Sequence, residues 1–246
     1  MRKVSFYLML ALLVLGLVQT GVGAKEEVIR FAADCAFPPF EYVDAAGKLA
    51  GFDVDLAYAI GKELGIKVEF INTGWDGLIP GLMNNNFDVI ASGMTITAER
   101  QMSVNFSDPY FEAKQVILVP VKEKTIQGPA DLKGKVVTVQ IGTTGDFQAS
   151  ELKGLKKVAR FNFVPEAIQE VLNENAVACI VDNFVAMQYI KEYPGTVKIV
   201  EGDYFAPEYY GLALRKKDTE LLKKVNQALA ALKANGTYEQ ISNKYF

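Results

Sequence analysis

Apolar positions along this chain change period repeatedly, from about two to about 3.6 residues and back. Val28–Ala33 reads as a strand that stops at Asp34 and the Phe37-Pro38-Pro39-Phe40 break. Gly51-Phe52 leads into residues 53–64, where Val54, Ala57, Ile60 and Leu64 share a helical face and Gly65 supplies the stop. Residues 68–71 predict another strand, 76–83 a helix, and 87–91 a short strand running into Ser92-Gly93-Met94-Thr95. A β-α-β-α-β order of this kind implies α/β architecture, with a mostly parallel sheet covered by helices.

A second series begins after Tyr110. Residues 115–121 and Val136–Gln140 read as strands, and Gly142-Thr143-Thr144-Gly145 opens a helix at Asp146. Further strands are predicted over 178–181, ending at Asp182, then over 197–200 and 209–214. Leu221, Leu222, Val225, Leu229 and Leu232 mark one face of a long helix that stops near Gly236. No Gly/Ser-rich or Pro-rich linker divides the two series, so two lobes joined by extended segments are expected.

Ligands of parallel α/β sheets bind outside the carboxyl ends of the strands. Here those ends are Asp34, residues 92–95, residues 140–144 and Asp182. They offer two carboxylates, several hydroxyls and exposed backbone, without a nucleophile–base pair. Composition narrows the field further. The charge is 26 − 29 = −3 with no basic run, which argues against nucleic acid as a partner. Histidine is absent from all 246 residues, which removes Ser-His-Asp triads, Cys-His pairs, imidazole metal sites and histidine bases.

The first 24 residues read as an export signal. Arg2 and Lys3 precede an apolar stretch over residues 6–18, and Val22-Gly23-Ala24 suits cleavage before Lys25. That stretch is 18 − 6 + 1 = 13 residues long, short of the roughly 20 that a spanning helix needs. The expected mature chain has 246 − 24 = 222 residues and a charge of 24 − 29 = −5. No cysteine follows the apolar stretch for lipid attachment. Cys35 and Cys179 would enter an oxidising compartment, but they fall in different lobes and are read as unpaired small hydrophobes.

Several short motifs occur in a fixed order: Phe37-Pro38-Pro39-Phe40-Glu41-Tyr42, Gly51-Phe52-Asp53-Val54-Asp55-Leu56, Trp75-Asp76-Gly77-Leu78-Ile79-Pro80 and Gly93-Met94-Thr95-Ile96-Thr97-Ala98-Glu99-Arg100. Phe106-Ser107-Asp108-Pro109-Tyr110, Asp131-Leu132-Lys133-Gly134-Lys135, Gly142-Thr143-Thr144-Gly145 and Asn235-Gly236-Thr237-Tyr238 follow. Together they resemble the polar amino-acid-binding proteins of ABC importers, bacterial solute-binding family 3, over essentially the whole mature chain. The resemblance implies a two-lobed periplasmic-binding-protein fold of type II. Lobe 1 would comprise residues 25–110 plus 210–246 and lobe 2 residues 111–209, with two hinge strands near 110–114 and 206–210. It also implies a monomeric periplasmic protein without a cofactor, which closes on a free amino acid and delivers it to a membrane permease.

Carried onto this sequence, the resemblance gives Arg100 the ligand α-carboxylate, which its planar fork can hold through two parallel hydrogen bonds. Asp182 would receive the α-ammonium, with the Gly93 carbonyl and the Thr95 hydroxyl completing that cage. Thr143 and Thr144, at a helix start whose N–H groups favour anions, would grip the carboxylate from lobe 2. Phe37, Trp75 and Ser92 would wall the side-chain pocket. Asp34 and Gln140 would then select the ligand: a carboxylate with no protein cation to offset it suits arginine or lysine, an amide donor from glutamine is the other candidate, and acidic ligands are disfavoured. A cyclohexadienyl (prephenate or arogenate) dehydratase on the same scaffold is the enzymatic alternative, with Asp34 or Glu112 as its acid. Neither belongs to an acid–base pair. A chemoreceptor-sensing role would use the same closed form.

Overall fold

A computed structural model describes residues 27–246, so the export signal expected over residues 1–24 lies outside the described residues. The first half runs β1 (Val28–Ala33), β2 (Ala36–Phe37), β3 (Glu41–Val43), β4 (Leu49–Ala50), α1 (Phe52–Leu64), β5 (Lys67–Asn72), α2 (Trp75–Met83), β6 (Val89–Ile90), α3 (Ala98–Ser103) and β7 (Val104–Phe106). The chain crosses over on β8 (Phe111–Pro120) and builds β9 (Val136–Gln140), α4 (Thr144–Glu151), β10 (Lys157–Phe161), α5 (Val164–Leu172), β11 (Ala178–Asp182), α6 (Asn183–Glu192) and β12 (Val197–Ile199). It returns through β13 (Pro207–Tyr210) to β14 (Ala213–Arg215), α7 (Thr219–Ala234) and α8 (Thr237–Tyr245).

Local chemistry explains the elements that matter most. The helix α1 carries Asp53 and Asp55 in its first turn, where carboxylates suit the helix dipole. It ends at Gly65, which adopts φ 67° and caps the carbonyls of Gly61 and Lys62. In α7, Val225, Ala228, Leu229 and Leu232 repeat at helical spacing and are buried, while the flanking Lys223, Lys224 and Lys233 are exposed.

Two mixed sheets result. The first has the order β5-β1-β6-β14-β7, and the second the order β10-β9-β11-β8-β12 with β13 also paired to β8. Strands β5, β1 and β6 are parallel, and only β14 runs against its sheet. Strands β10, β9 and β11 are likewise parallel, and only β8 is reversed. The mostly parallel character expected from the β-α alternation is present in both, with one reversed strand each. Strands β2, β3 and β4 form a small antiparallel sheet of their own.

The single strand anticipated over 209–214 is in fact two. Strand β13 pairs with β8 and β14 pairs with β6 and β7, so the chain changes sheets at Gly211-Leu212. Strand β10 and helices α5 and α6 were not anticipated. Their polar faces dilute the apolar signal, for example at Glu166, Gln169 and Glu170 within α5.

Apolar residues of both halves meet at the crossover. Phe40 lies edge-on to Phe111 with ring centroids 4.9 Å apart, and Phe111 lies edge-on to Phe184 at 5.0 Å. Cys35 and Cys179 are both free and buried, and burial pushes each thiol up to about 12.

Candidate functional site

The carboxyl ends of the parallel strands face one another across a small cavity. Asp34 follows β1, Ser92 and Gly93 follow β6, Gln140 ends β9 and Asp182 ends β11. All eleven residues singled out from the sequence line this cavity, together with Glu41. The crossing strands bring Asp34 and Gln140 together although they are 106 positions apart in the chain.

Arg100 is buried, on the short helix α3 that Thr97 caps by accepting the Arg100 N–H at 3.2 Å. Its Nη1 donates to the Thr95 carbonyl at 2.8 Å and its Nη2 to the Gly142 carbonyl, on the far side of the cavity, at 3.2 Å. The guanidinium lies over the Trp75 ring at 5.1 Å, a cation–π contact that fixes its plane. Trp75 thus holds the arginine as well as walling the cavity. Burial draws Arg100 down to about 10, while Glu208 and then Asp182 pull upward, so it stays cationic at neutral pH.

At the other end, Asp34 Oδ2 accepts from Gln140 Nε2 at 2.8 Å, a contact between the two halves. Gln140 Nε2 also donates to the Asn162 carbonyl at 2.9 Å, which orients the amide. Desolvation raises Asp34 to about 6, opposed by the bonds from Gln140 and from the Trp75 backbone N–H. Behind it, Ser92 accepts from the Asp34 N–H at 3.0 Å and donates to Glu41 Oε1 at 2.7 Å. The Gly93 N–H and the Tyr110 hydroxyl each donate to Asp53 Oδ2 at 2.7 Å. Burial, reinforced by Asp53, pushes Glu41 well above the usual carboxylate range. Gly93 adopts φ 49°, and a Cβ there would sit 2.8 Å from the Phe37 ring.

Asp182 begins α6, yet its side chain makes no capping bond. Its Oδ1 accepts from the Tyr210 hydroxyl instead. Desolvation and then Glu208 raise it to about 6. Thr143 does cap α4, accepting from the Asp146 N–H at 3.2 Å and donating to the Gln140 carbonyl at 2.8 Å. Thr144, the first residue of α4, has a backbone N–H that the helix itself cannot pair.

Sequence reasoning missed the residues that support these from the crossing strands. Glu208 on β13 accepts from Thr95 at 2.9 Å, Thr144 at 2.7 Å and Gln115 at 3.3 Å, all on Oε2. Gln115 is a buried polar residue at the head of the apolar run of β8, and Glu208 is the charge in a segment of apolar and aromatic neighbours. Those two irregularities were the available signal. Glu112, the alternative acid, pairs across the strands with Tyr209, is exposed and is not among the cavity residues.

Electrostatically the cavity is lopsided. Asp34 and Asp182 line it against Arg100 alone among the described residues, and Glu41, held toward its neutral form by burial, lines it as well. Its lining suits a small ligand that carries one anionic group and more positive charge than negative. Among the described residues, no cluster of His, Cys, Asp and Glu suits a metal ion.

The profile of the bacterial extracellular solute-binding proteins, family 3, matches residues 29–246. A probable histidine-binding protein of Neisseria gonorrhoeae is 42% identical over 224 residues, 89% of this chain and 83% of its own. An ancestral arginine-binding protein solved with arginine has 45% identity and a TM-score of 0.85, over 89% of this chain and 98% of that one. With glutamine bound, the corresponding values are 45%, 0.86, 90% and 99%. An ancestral amino acid-binding protein described as a precursor of cyclohexadienyl dehydratase has 43% identity and a TM-score of 0.84, over 89% and 95%. The chain belongs to the bacterial extracellular solute-binding proteins, family 3.

Proposed function

We propose that this protein captures a basic L-amino acid, arginine foremost, between its two halves and hands it to the membrane permease of an ABC importer. Arg100 would take the α-carboxylate on its ring-stacked fork, helped by the free N–H groups at the start of α4. Asp182 and the Gly93 carbonyl would take the α-ammonium. The observation that carries the reading is Asp34, a buried carboxylate at the far end of the cavity whose partners are a neutral amide and a backbone N–H. A guanidinium or ammonium placed there supplies the missing cation. Phe37 flanks the path between the two ends and suits an aliphatic stem.

An export signal over residues 1–24 would carry the mature protein to the periplasm, where it would work as a monomer with residues 110–114 and 206–210 as its hinge. Turnover of prephenate or arogenate is not expected: Asp34 is the one nominated acid in the cavity, and it is engaged by the Gln140 amide and the Trp75 backbone N–H. Thermal shift against the twenty amino acids and prephenate tests the reading, since a selective ligand stabilises by RT ln(1 + [L]/Kd). Arginine and lysine should give the largest shifts. A larger shift with glutamate, or release of a ring product from prephenate, would overturn it.

A further inference from the structure

We infer that Glu208 is a positioning residue that turns the hydroxyls of Thr95 and Thr144 into hydrogen-bond acceptors toward the cavity, so that both serve a cation and neither serves the ligand carboxylate. The inference rests on the reading of the cavity as an amino-acid site and assigns a role to a residue outside its lining.

The argument is a count of protons. A hydroxyl has one proton to give and two lone pairs to offer, whereas an ionised carboxylate only accepts. Thr95 Oγ1 lies 2.9 Å and Thr144 Oγ1 2.7 Å from the same oxygen, Glu208 Oε2. Gln115 Nε2 donates to that oxygen at 3.3 Å and to Thr144 Oγ1 at 3.1 Å. An oxygen that receives three donors is acting as a carboxylate acceptor, so each threonine has spent its proton on Glu208. Thr95 has two lone pairs left and Thr144 one, since Gln115 takes the other, and both threonines line the cavity beside Asp182. Glu208 reaches them from β13, where it pairs with Ala113 of β8. From that strand it can serve Thr95 in the first half and Thr144 in the second at once.

Acceptors arranged in this way, with the Asp182 carboxylate, define a subsite for the α-ammonium. The role implied for Thr144 by resemblance, a grip on the carboxylate, then falls to its backbone N–H alone. A plain latch between the halves would need the same bonds but would make no distinction between ligand groups.

The test compares L-arginine with 5-guanidinopentanoic acid, which is arginine without its α-amino group. Glu208→Leu frees both hydroxyls to rotate, and Glu208→Gln keeps an acceptor oxygen in place. By calorimetry, Glu208→Leu should weaken arginine about tenfold or more and leave 5-guanidinopentanoic acid within about threefold, with Glu208→Gln restoring most of the loss. Equal weakening of both ligands would reduce Glu208 to a latch and overturn the inference. Neutron diffraction of the wild-type protein reads the same protons without any ligand. Threonine hydroxyl deuterons directed at Glu208 are expected, and either one directed into the cavity overturns the proposal. Should the wild type bind neither compound, the reading of the cavity fails, and the deuteron positions alone decide the role of Glu208.

Discussion

Asp34 ties specificity to acidity. Its carboxyl sits at about 6 because burial outweighs the bonds from Gln140 and Trp75, and a guanidinium beside it must pull that value down. Arginine binding therefore expels a proton below about pH 6, and its affinity should rise from pH 5 to 7 and then level off. Glutamine, which meets only Asp182 with a full charge, should show the shallower part of that dependence. Calorimetry in buffers of different ionisation heat measures both. Asp34→Asn should weaken arginine by roughly 10- to 100-fold and glutamine by less than about threefold, the cost of a lost charge-assisted bond. Equal losses would sink the charge argument. Arg100→Ala should abolish the thermal shift with every amino acid, and Arg100→Lys should still weaken arginine about tenfold or more, since an ammonium cannot reproduce a planar fork stacked on Trp75.

Short elements aim these side chains, and their tolerances are local. At the end of β6, Gly93→Ala combines a left-handed φ of 49° with a Cβ placed 2.8 Å from Phe37. It should lower stability by about 1–3 kcal/mol in urea titration and displace the Phe37 wall. Thr143→Ala removes the cap of α4 and should cost about 1 kcal/mol. Strand β1, helix α1 and strand β9 were legible in the sequence because each buries one continuous face or run and stops at Gly or a polar end. The eleven cavity residues were legible because strand ends are where ligands sit and the motif order resembled a family. Helix α6 was not, since Phe184, Met187 and Ile190 carry apolar side chains beyond its buried Val185, Ala186 and Tyr189 and blur the period, and Asp182 gives no capping bond to mark its start. Nor was the pairing of Glu208 with Thr95 and Thr144, since periodicity says nothing about which side chains meet across a crossover of 113 positions.

At the scale of the molecule, the buried acids in and behind the cavity weigh against the fold. Asp34, Asp53 and Asp182 all stand at about 6 and Glu41 well above its ordinary range, mainly through desolvation. A carboxyl raised in the folded state contributes stability that is present below its unfolded value near 4 and is lost as pH climbs through about 6. Without ligand the protein should melt at a higher temperature at pH 5 than at pH 7.5, and arginine should recover more at pH 7.5. Scanning calorimetry checks both, and a ligand-free melting temperature that rises with pH would refute the accounting. With no histidine in the chain, no imidazole titration obscures the window. The crossing strands bear on how such a molecule opens. Strands β8 and β13 are laddered together from Pro207↔Lys114 to Tyr210↔Phe111, so neither can swivel by itself. As the hinge of the proposed binding protein they would flex as one, like the two bonded leaves of a spring, with less freedom to twist than two separate strands. A permease docking on the two rims would then meet one repeatable gape.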